Sequence, residues 1–307
     1  MPPSGGTEAI RSVAAPDDTV VPVDFARRAA FTSHQLIGWI YWDPRAAQRH
    51  AELGVKDGLG HYIANRAAPL AAAGVDAVTA AFGSIDRFLI HFSLDLAASA
   101  TTWDKVYAAR NATVAEGLRE LAPELCDGLA ALSDDLWRTV DAMPSSGRVL
   151  FAAHRAWPRE EHDRLVCAWL AVNALREWRG DTHWGLLTAH AIDGVEAGLL
   201  HDAWMGYPKE WIPRSRGAND EQIAVALASL EQRGWVTNGV VNAAGVEFRQ
   251  WLEEETNRLC VRCWETFGRD NTLRFLNLVE PVGHRFVEHI DATAGPNWMP
   301  AARPRRV

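Results

Sequence analysis

Leu227-Ala-Ser-Leu-Glu-Gln-Arg-Gly-Trp-Val-Thr-Asn-Gly-Val-Val-Asn242 carries the most specific local signals in the sequence. Its first half closes a helix that opens at Asn219-Asp220-Glu221. There Asn219 is an N-cap, and the acidic residues behind it suit the positive end of the helix dipole. Gly234 ends the helix. Trp235-Val-Thr237 and Val240-Val-Asn242 read as two short strands. Asn238-Gly239 between them is a strong two-residue hairpin signal, because both central residues of such a turn need positive φ. Ala243 to Phe267 then reads as a long helix. The local order is helix, tight hairpin, long helix.

Outward from this stretch the pattern is helical almost everywhere. Val23 to Tyr41 has apolar residues at helical spacing and stops before Asp43-Pro44. Short helices follow over Pro44–Leu53, Lys56–Asn65, Val75–Phe82 and Ser84–Leu96. Thr102 is a plausible N-cap for a helix from Trp103 to Leu121, and Pro123 to Met143 is another. Pro158 to His201 is the longest helical stretch, with a bend expected near Gly180. Asp270 to His289 is a last helix, split near Pro281. The expected fold class is mainly α: a multi-helix, bundle-like domain with one embedded β-hairpin. The expected division is a disordered tail over 1–20, a helical domain over 21–205 and a winged-helix-like domain over 206–267. A helix over 268–295 then returns to the body, and 296–307 is a short tail.

The chain has 307 residues, 48% hydrophobic and 23% charged, with a formal charge of −8. That composition excludes collagen-like, disordered and disulfide-framework proteins. The acidic balance argues against a broad non-specific nucleic-acid surface, which needs Lys and Arg to displace counterions. Fourteen tryptophans against four tyrosines stand out, and Trp serves cores, interfaces and aromatic-ligand pockets alike. Cys260-Val-Arg-Cys263 has C-x-x-C spacing but no second pair, so buried helix positions are the simpler reading. No signal-peptide pattern opens the sequence, and no apolar run reaches about 18 residues, so a cytoplasmic protein without a membrane span is expected.

The segment from Leu227 through Asn238-Gly239 to Asn242-Ala-Ala-Gly245 and Glu247-Phe-Arg249 resembles the MarR-like winged helix-turn-helix domain. In DNA-binding relatives the helix before the hairpin enters the major groove and a basic wing meets phosphate. Here that helix carries Asp220, Glu221 and Glu231 and no Lys or Arg. Residues 206–267 hold seven Lys and Arg against nine Asp and Glu. Packing, dimerisation or pocket lining therefore fits this unit better than DNA recognition. Most of residues 25–290 also resembles a family of actinobacterial helical proteins with a C-terminal helix-turn-helix. The matching residues are His34, Asn65-Arg66-Ala-Ala-Pro-Leu70, Glu177-Trp-Arg-Gly-Asp-Thr-His183 and Asp193-Gly-Val-Glu196. That resemblance implies architecture and candidate positions, not a mechanism.

Glu177 to His201, drawn as one helix, puts His183, His190 and His201 on one line with Arg176, Arg179 and Gly194 near it. The other faces are apolar, so these polar groups are buried and need partners or a cavity. One reading is structural: a hydrogen-bond cluster of Arg179, Asp181 and His183, with Glu196 paired to Arg66. The other is a pocket in which His183 is base or ligand, Asp181 orients it, Glu196 is a second acid/base group, and Arg66 and Arg179 bind an anion. His34 would face them from the first helix, where Phe31, Trp39, Tyr41 and Trp42 crowd. Trp39, Trp42, Trp178, Trp184 and Phe88 would supply apolar walls. A divalent metal on His34 and His183, with Asp181 or Glu196 near, is the weakest version, since no close ligand spacing supports it. No nucleotide-cofactor motif is present.

The first functional expectation is a small-molecule-binding protein or enzyme for an apolar or aromatic metabolite of specialised metabolism, using His/Asp/Glu acid-base chemistry. The alternatives are a MarR-like ligand-responsive transcription regulator and a non-catalytic sequestering protein. The expected partner is a small molecule, with no nucleic acid and no membrane. A homodimer stays open.

Overall fold

The computed structural model describes residues 21–296, 298 and 303–305. The tail expected over 1–20 and most of the one over 296–307 lie outside them. The described chain is mainly α. Helices α1 (Val23–Gly38), α2 (Pro44–Glu52), α3 (His61–Ala67), α4 (Val75–Phe82), α5 (Arg87–Ala100) and α6 (Trp103–Leu121) come first. Then come α7 (Pro123–Ala131), α8 (Ser133–Ala142), α9 (Val149–Ala156), α10 (Arg164–Ala189), α11 (Gly194–Met205) and α12 (Trp211–Ser215). Helix α13 (Asp220–Gln232), strands β1 (Val236–Thr237) and β2 (Val240–Val241), and helices α14 (Ala243–Phe267), α15 (Arg269–Val279) and α16 (Gly283–Thr293) complete it. No helix among the described residues is long and apolar enough to cross a membrane.

Helix α10 is the axis of the molecule. It packs against α1, α6, α7, α8, α9 and α14. Asp163 starts it by accepting hydrogen bonds from Leu165 N and Val166 N at 3.0 and 3.3 Å, which satisfies two of its free donors. Trp169 and Trp178 are buried along it. The main core joins α1, α6–α8, α10, α15 and α16 with Cys260 and Cys263 of α14. Both cysteines are buried and free, as expected of helix residues.

The winged-helix stretch folds as its residues dictate. Asn219 and Gln222 form a reciprocal capping box at the start of α13. Val236 pairs with Val241 and Thr237 with Val240 in an antiparallel hairpin. Asn238 and Gly239 turn it at φ 54° and 71°, as a primed two-residue turn needs. A separate apolar cluster holds the unit together. It takes Leu199 and Leu200 from α11, Ile223 and Leu230 from α13, Val236 from β1 and Leu252 from α14. The α14 helix begins in this cluster and ends in the main core, which fixes the winged unit to the body.

Several expectations need correction. Pro123 to Met143 is two helices, α7 and α8, broken at Leu132. Helix α10 runs unbroken through Gly180 and Gly185 and stops at Ala189. The break comes later, where Ala191 has φ 51° and Asp193 caps α11. The single helix from Glu177 to His201 is therefore two helices, and side chains beyond Ala189 do not follow its projected line. Lys56 to Asn65 likewise splits, because Gly60 turns at φ 72°. Thr102 stands at the start of α6, but its side chain makes no cap hydrogen bond.

Candidate functional site

A cavity of about 690 Å³ lies between the body and the winged unit. That volume suits a small organic molecule. Helix α1 contributes His34, α3 contributes Tyr62 and Arg66, and α10 contributes Arg176, Arg179, His183 and Trp184. From the winged side come His201 and Trp204 of α11, Arg216 after α12, and Arg249 and Glu253 of α14. Packing at this seam is tight. A Cβ on Gly83 would stand 2.4 Å from Trp184 Cε2, and one on Gly194 would stand 2.2 Å from the Gly83 carbonyl oxygen.

Eight arginines and the carboxylates Glu253 and Glu254 line the cavity, and Glu177 pairs with two of the arginines, Arg66 and Arg176. Glu177 takes Arg66 in a fork, Nε at 2.9 Å and Nη2 at 2.8 Å, and also Arg176 Nη1 at 2.6 Å. Glu253 takes Arg249 Nη2 at 2.9 Å and Arg179 Nη2. Burial alone would raise the Glu177 and Glu253 carboxyls. The guanidiniums beside them more than reverse this and hold both well below the ordinary range. Arg216 is different. Its Nη1 donates to Ser84 Oγ at 2.7 Å, and no carboxylate among the described residues lies within ion-pair distance. Burial pulls its guanidinium below the ordinary value; Arg66 and Arg176 push the same way, while Tyr62 and Asp202 oppose them. Arg179 Nε and Arg249 Nη1 are buried without a partner.

Tyr62 shows the resulting potential. Burial would push its phenol up, yet Arg66, Arg216 and Arg176 together bring it below the usual value. At the histidines burial and the arginines act in the same direction, both downward. Burial, helped by Arg249, pulls His183 down to about 3. Burial also holds His34 and His201 well below their usual value, with Arg176 adding at His34 and Arg249 at His201. All three imidazoles are neutral at pH 7. The site is therefore a cationic chamber with neutral rings, partly walled by Phe31, Phe82, Trp184 and Trp204.

His34, His183, Arg66, Arg179 and Trp184 all line this cavity. The remaining candidates stand elsewhere. Asp181 accepts from Phe151 N at 2.9 Å and so caps the first turn of α9, while His183 Nδ1 meets Thr256 Oγ1 at 2.9 Å. Burial pushes Asp181 up to about 7, against the pull of that cap. Glu196 closes the capping box of α11, accepting from Asp193 N at 2.8 Å, and does not reach Arg66. Trp39 is fully buried and stacks on Phe286 at 6.1 Å. Trp42 packs between Tyr62 and Trp298. Trp178 is in the core and donates to the Pro144 carbonyl at 3.0 Å. Phe88 is exposed beside Phe92. His190 leaves the line of the other histidines and packs edge-on against Phe248 and Trp251.

Sequence reasoning left out Arg216, Arg249, Glu253 and Trp204, and noted Arg176 and His201 without giving them a site role. Arg249 had a signal, since it precedes Leu252 and Thr256 at i+3 and i+7 and so shares their buried face. Arg216 had none, because its turn places it by tertiary packing alone. Among the described residues no group of three or more His, Cys, Asp or Glu is arranged to hold a metal ion. A wall of arginines is also a poor place for a cation such as the one considered for His34 and His183.

The outer face of the helix-turn-helix unit is acidic. Asp220, Glu221 and Glu231 are exposed along α13, and the wing residues Thr237 to Val240 carry no charge. No curated protein matches the chain, and neither does any solved structure. One family does match, described as a helix-turn-helix family, over residues 26–293. That span takes in the helical body, the cavity and the winged unit together, and the chain belongs to this helix-turn-helix family.

Proposed function

We propose that the chain is a small-molecule-binding protein whose ligand is an organic anion with a flat apolar part. The observation that carries this is the charge of the lining: Arg66, Arg176, Arg179, Arg216 and Arg249 all border the cavity, and among the described residues only Glu177 and Glu253 are in ion-pair contact with these five. Desolvated like charges repel, and a fold keeps them together at a cost unless a ligand neutralises them. Arginine forks suit carboxylate and phosphate oxygens. Phe82, Trp184 and Trp204 would cover the rest of the molecule. The ligand is thus more polar than the sequence led us to expect. The test is a thermal shift in phosphate-free buffer with phenyl phosphate, benzoate and neutral phenol. Both anions should raise the melting temperature and phenol should not. A null result with both anions at millimolar concentration refutes the reading.

A second reading makes this a ligand-responsive switch, and one connection favours it. Arg216 lies in the turn that leads into α13. Its carbonyl accepts from Asp86 N at 2.9 Å, and the Asp86 carboxylate reaches Gln222 in the first turn of α13 at 3.4 Å. A ligand held by Arg216 would fix the posture of that helix relative to α5. The acidic face of α13 suits a basic or neutral partner better than a phosphate backbone. Hydrogen exchange along α13, with and without phenyl phosphate, distinguishes a switch from a simple binder.

A further inference from the structure

Three imidazoles line the cavity, and their partners fix where each carries its proton. A guanidinium only donates. His34 Nδ1 therefore accepts from Arg176 Nε at 3.2 Å, and His201 Nδ1 accepts from Arg249 Nη2 at 3.2 Å. Each of these neutral rings holds its proton on Nε2. Neither Nε2 has a partner among the described residues, and that of His201 is buried. Both are donors waiting for an acceptor.

His183 is the reverse. Thr256 has one hydroxyl proton, and its oxygen stands 2.7 Å from the Leu252 carbonyl oxygen and 2.9 Å from His183 Nδ1. Two oxygen acceptors do not rest 2.7 Å apart without a proton between them. The Thr256 proton goes to Leu252, so the Thr256 oxygen accepts from His183 Nδ1–H. His183 Nε2 is left with its lone pair. It has no partner among the described residues, and it is not among the buried unpartnered atoms, so it opens onto the cavity. The neighbouring acceptors are engaged: Glu253 by Arg179 and Arg249, Asn257 Oδ1 by Arg179, and Gln250 Oε1 by Trp204 and Arg305.

We infer that the anion bound here also carries an O–H or N–H group that donates to His183 Nε2, with Thr256 as the positioning residue that keeps this lone pair turned to the ligand. This rests on the anion reading above and narrows it to hydroxylated or amino-bearing anions. A site that hydrogen-bonds a ligand hydroxyl discriminates against the analogue lacking it, because its own polar group is then left unpaired.

Two measurements on the full chain test it. Nitrogen-resolved imidazole NMR without ligand should show His183 protonated on Nδ1 and both His34 and His201 protonated on Nε2. Thr256→Val should release His183 from the Nδ1–H form, and Thr256→Ser should keep it. A wild-type His183 protonated on Nε2 overturns the inference. Calorimetry would then compare phenyl phosphate with its 2-, 3- and 4-hydroxy derivatives. At least one hydroxylated isomer should bind about tenfold tighter, and the advantage should vanish in His183→Phe and Thr256→Val. Binding of all four with equal affinity overturns the inference and leaves the anion reading standing. Binding of none removes the anion reading, and this one with it.

Discussion

Replacing Arg216 with methionine should leave the ligand-free fold as stable as before, or more stable, while weakening anion binding. The substitution removes one hydrogen bond, to Ser84 Oγ at 2.7 Å, worth about 1 kcal/mol. It also removes a desolvated guanidinium that is ion-paired to no carboxylate among the described residues and is repelled by Arg66 and Arg176, against an attraction to Tyr62 and Asp202. Relief of that repulsion is on the order of 1–2 kcal/mol in a partly buried site. Methionine keeps most of the buried stem, so little packing is lost. The net change in the apo protein is therefore between about zero and 1 kcal/mol in favour of folding. For the bound anion the same substitution deletes a charge-assisted hydrogen bond, worth about 1.5–3 kcal/mol, or roughly 10- to 150-fold in affinity. Glu177→Gln is the control. Glu177 is 1% exposed and is the shared partner of Arg66 and Arg176, so breaking it should cost about 3–5 kcal/mol. Chemical denaturation and phenyl phosphate titration of both variants decide the matter. An Arg216→Met protein destabilised as much as Glu177→Gln would mean that Arg216 is an ordinary structural residue, and the reasoning about an open anion site would fail.

Other outcomes follow from the same geometry. Gly83→Ala should displace Trp184 and lower stability by about 1–3 kcal/mol, since Gly83 sits at φ 67° with the indole 2.4 Å from the added carbon; denaturant midpoints measure it. Stability should fall as pH drops from 6.5 to 5. His154 and His183 are held at about 3 and His50 at about 4, so they stay neutral when folded but take protons once unfolded. Their contribution is complete above their unfolded value and is lost below it, at up to about 1.4 kcal/mol per pH unit each. Asp181 and Asp202, raised to about 7, act oppositely, gaining stability as pH falls, but the histidines outnumber them. Melting curves between pH 5 and 8 check the sign, and a flat profile would contradict it. Duplex DNA should bind only weakly at 150 mM salt, as gel shift can show, because the outer face of α13 offers Asp220, Glu221 and Glu231 to the phosphates.

The parts of this architecture that depend on neighbours in sequence were legible before any coordinates. Asn219, Asn238-Gly239 and the run from Ala243 to Phe267 each carry their structure locally, through a cap, a turn and a periodicity. His34 and His183 were singled out as polar groups on apolar helices, and both line the cavity. The aromatic residues were less informative. Periodicity shows that Trp39 and Trp178 are buried but not whether protein or a cavity lies against them, and here it is protein. Asp181 and Glu196 misled for a different reason. A buried carboxylate near histidines has the look of acid-base chemistry, yet both cap helices, and which helix Asp181 caps is decided by a contact 30 residues away. The cationic character of the site was hidden because Arg66, Arg176 with Arg179, Arg216 and Arg249 come from four separate places in the chain and an acidic overall charge masks them.

If the arginine-walled cavity binds one small anion, isothermal titration of phenyl phosphate into the full chain at low salt will show it. One site per chain is expected, with affinity reduced at least tenfold in Arg216→Met and weakened by added salt. Absence of saturable binding, or binding that Arg216→Met leaves unchanged, would contradict it.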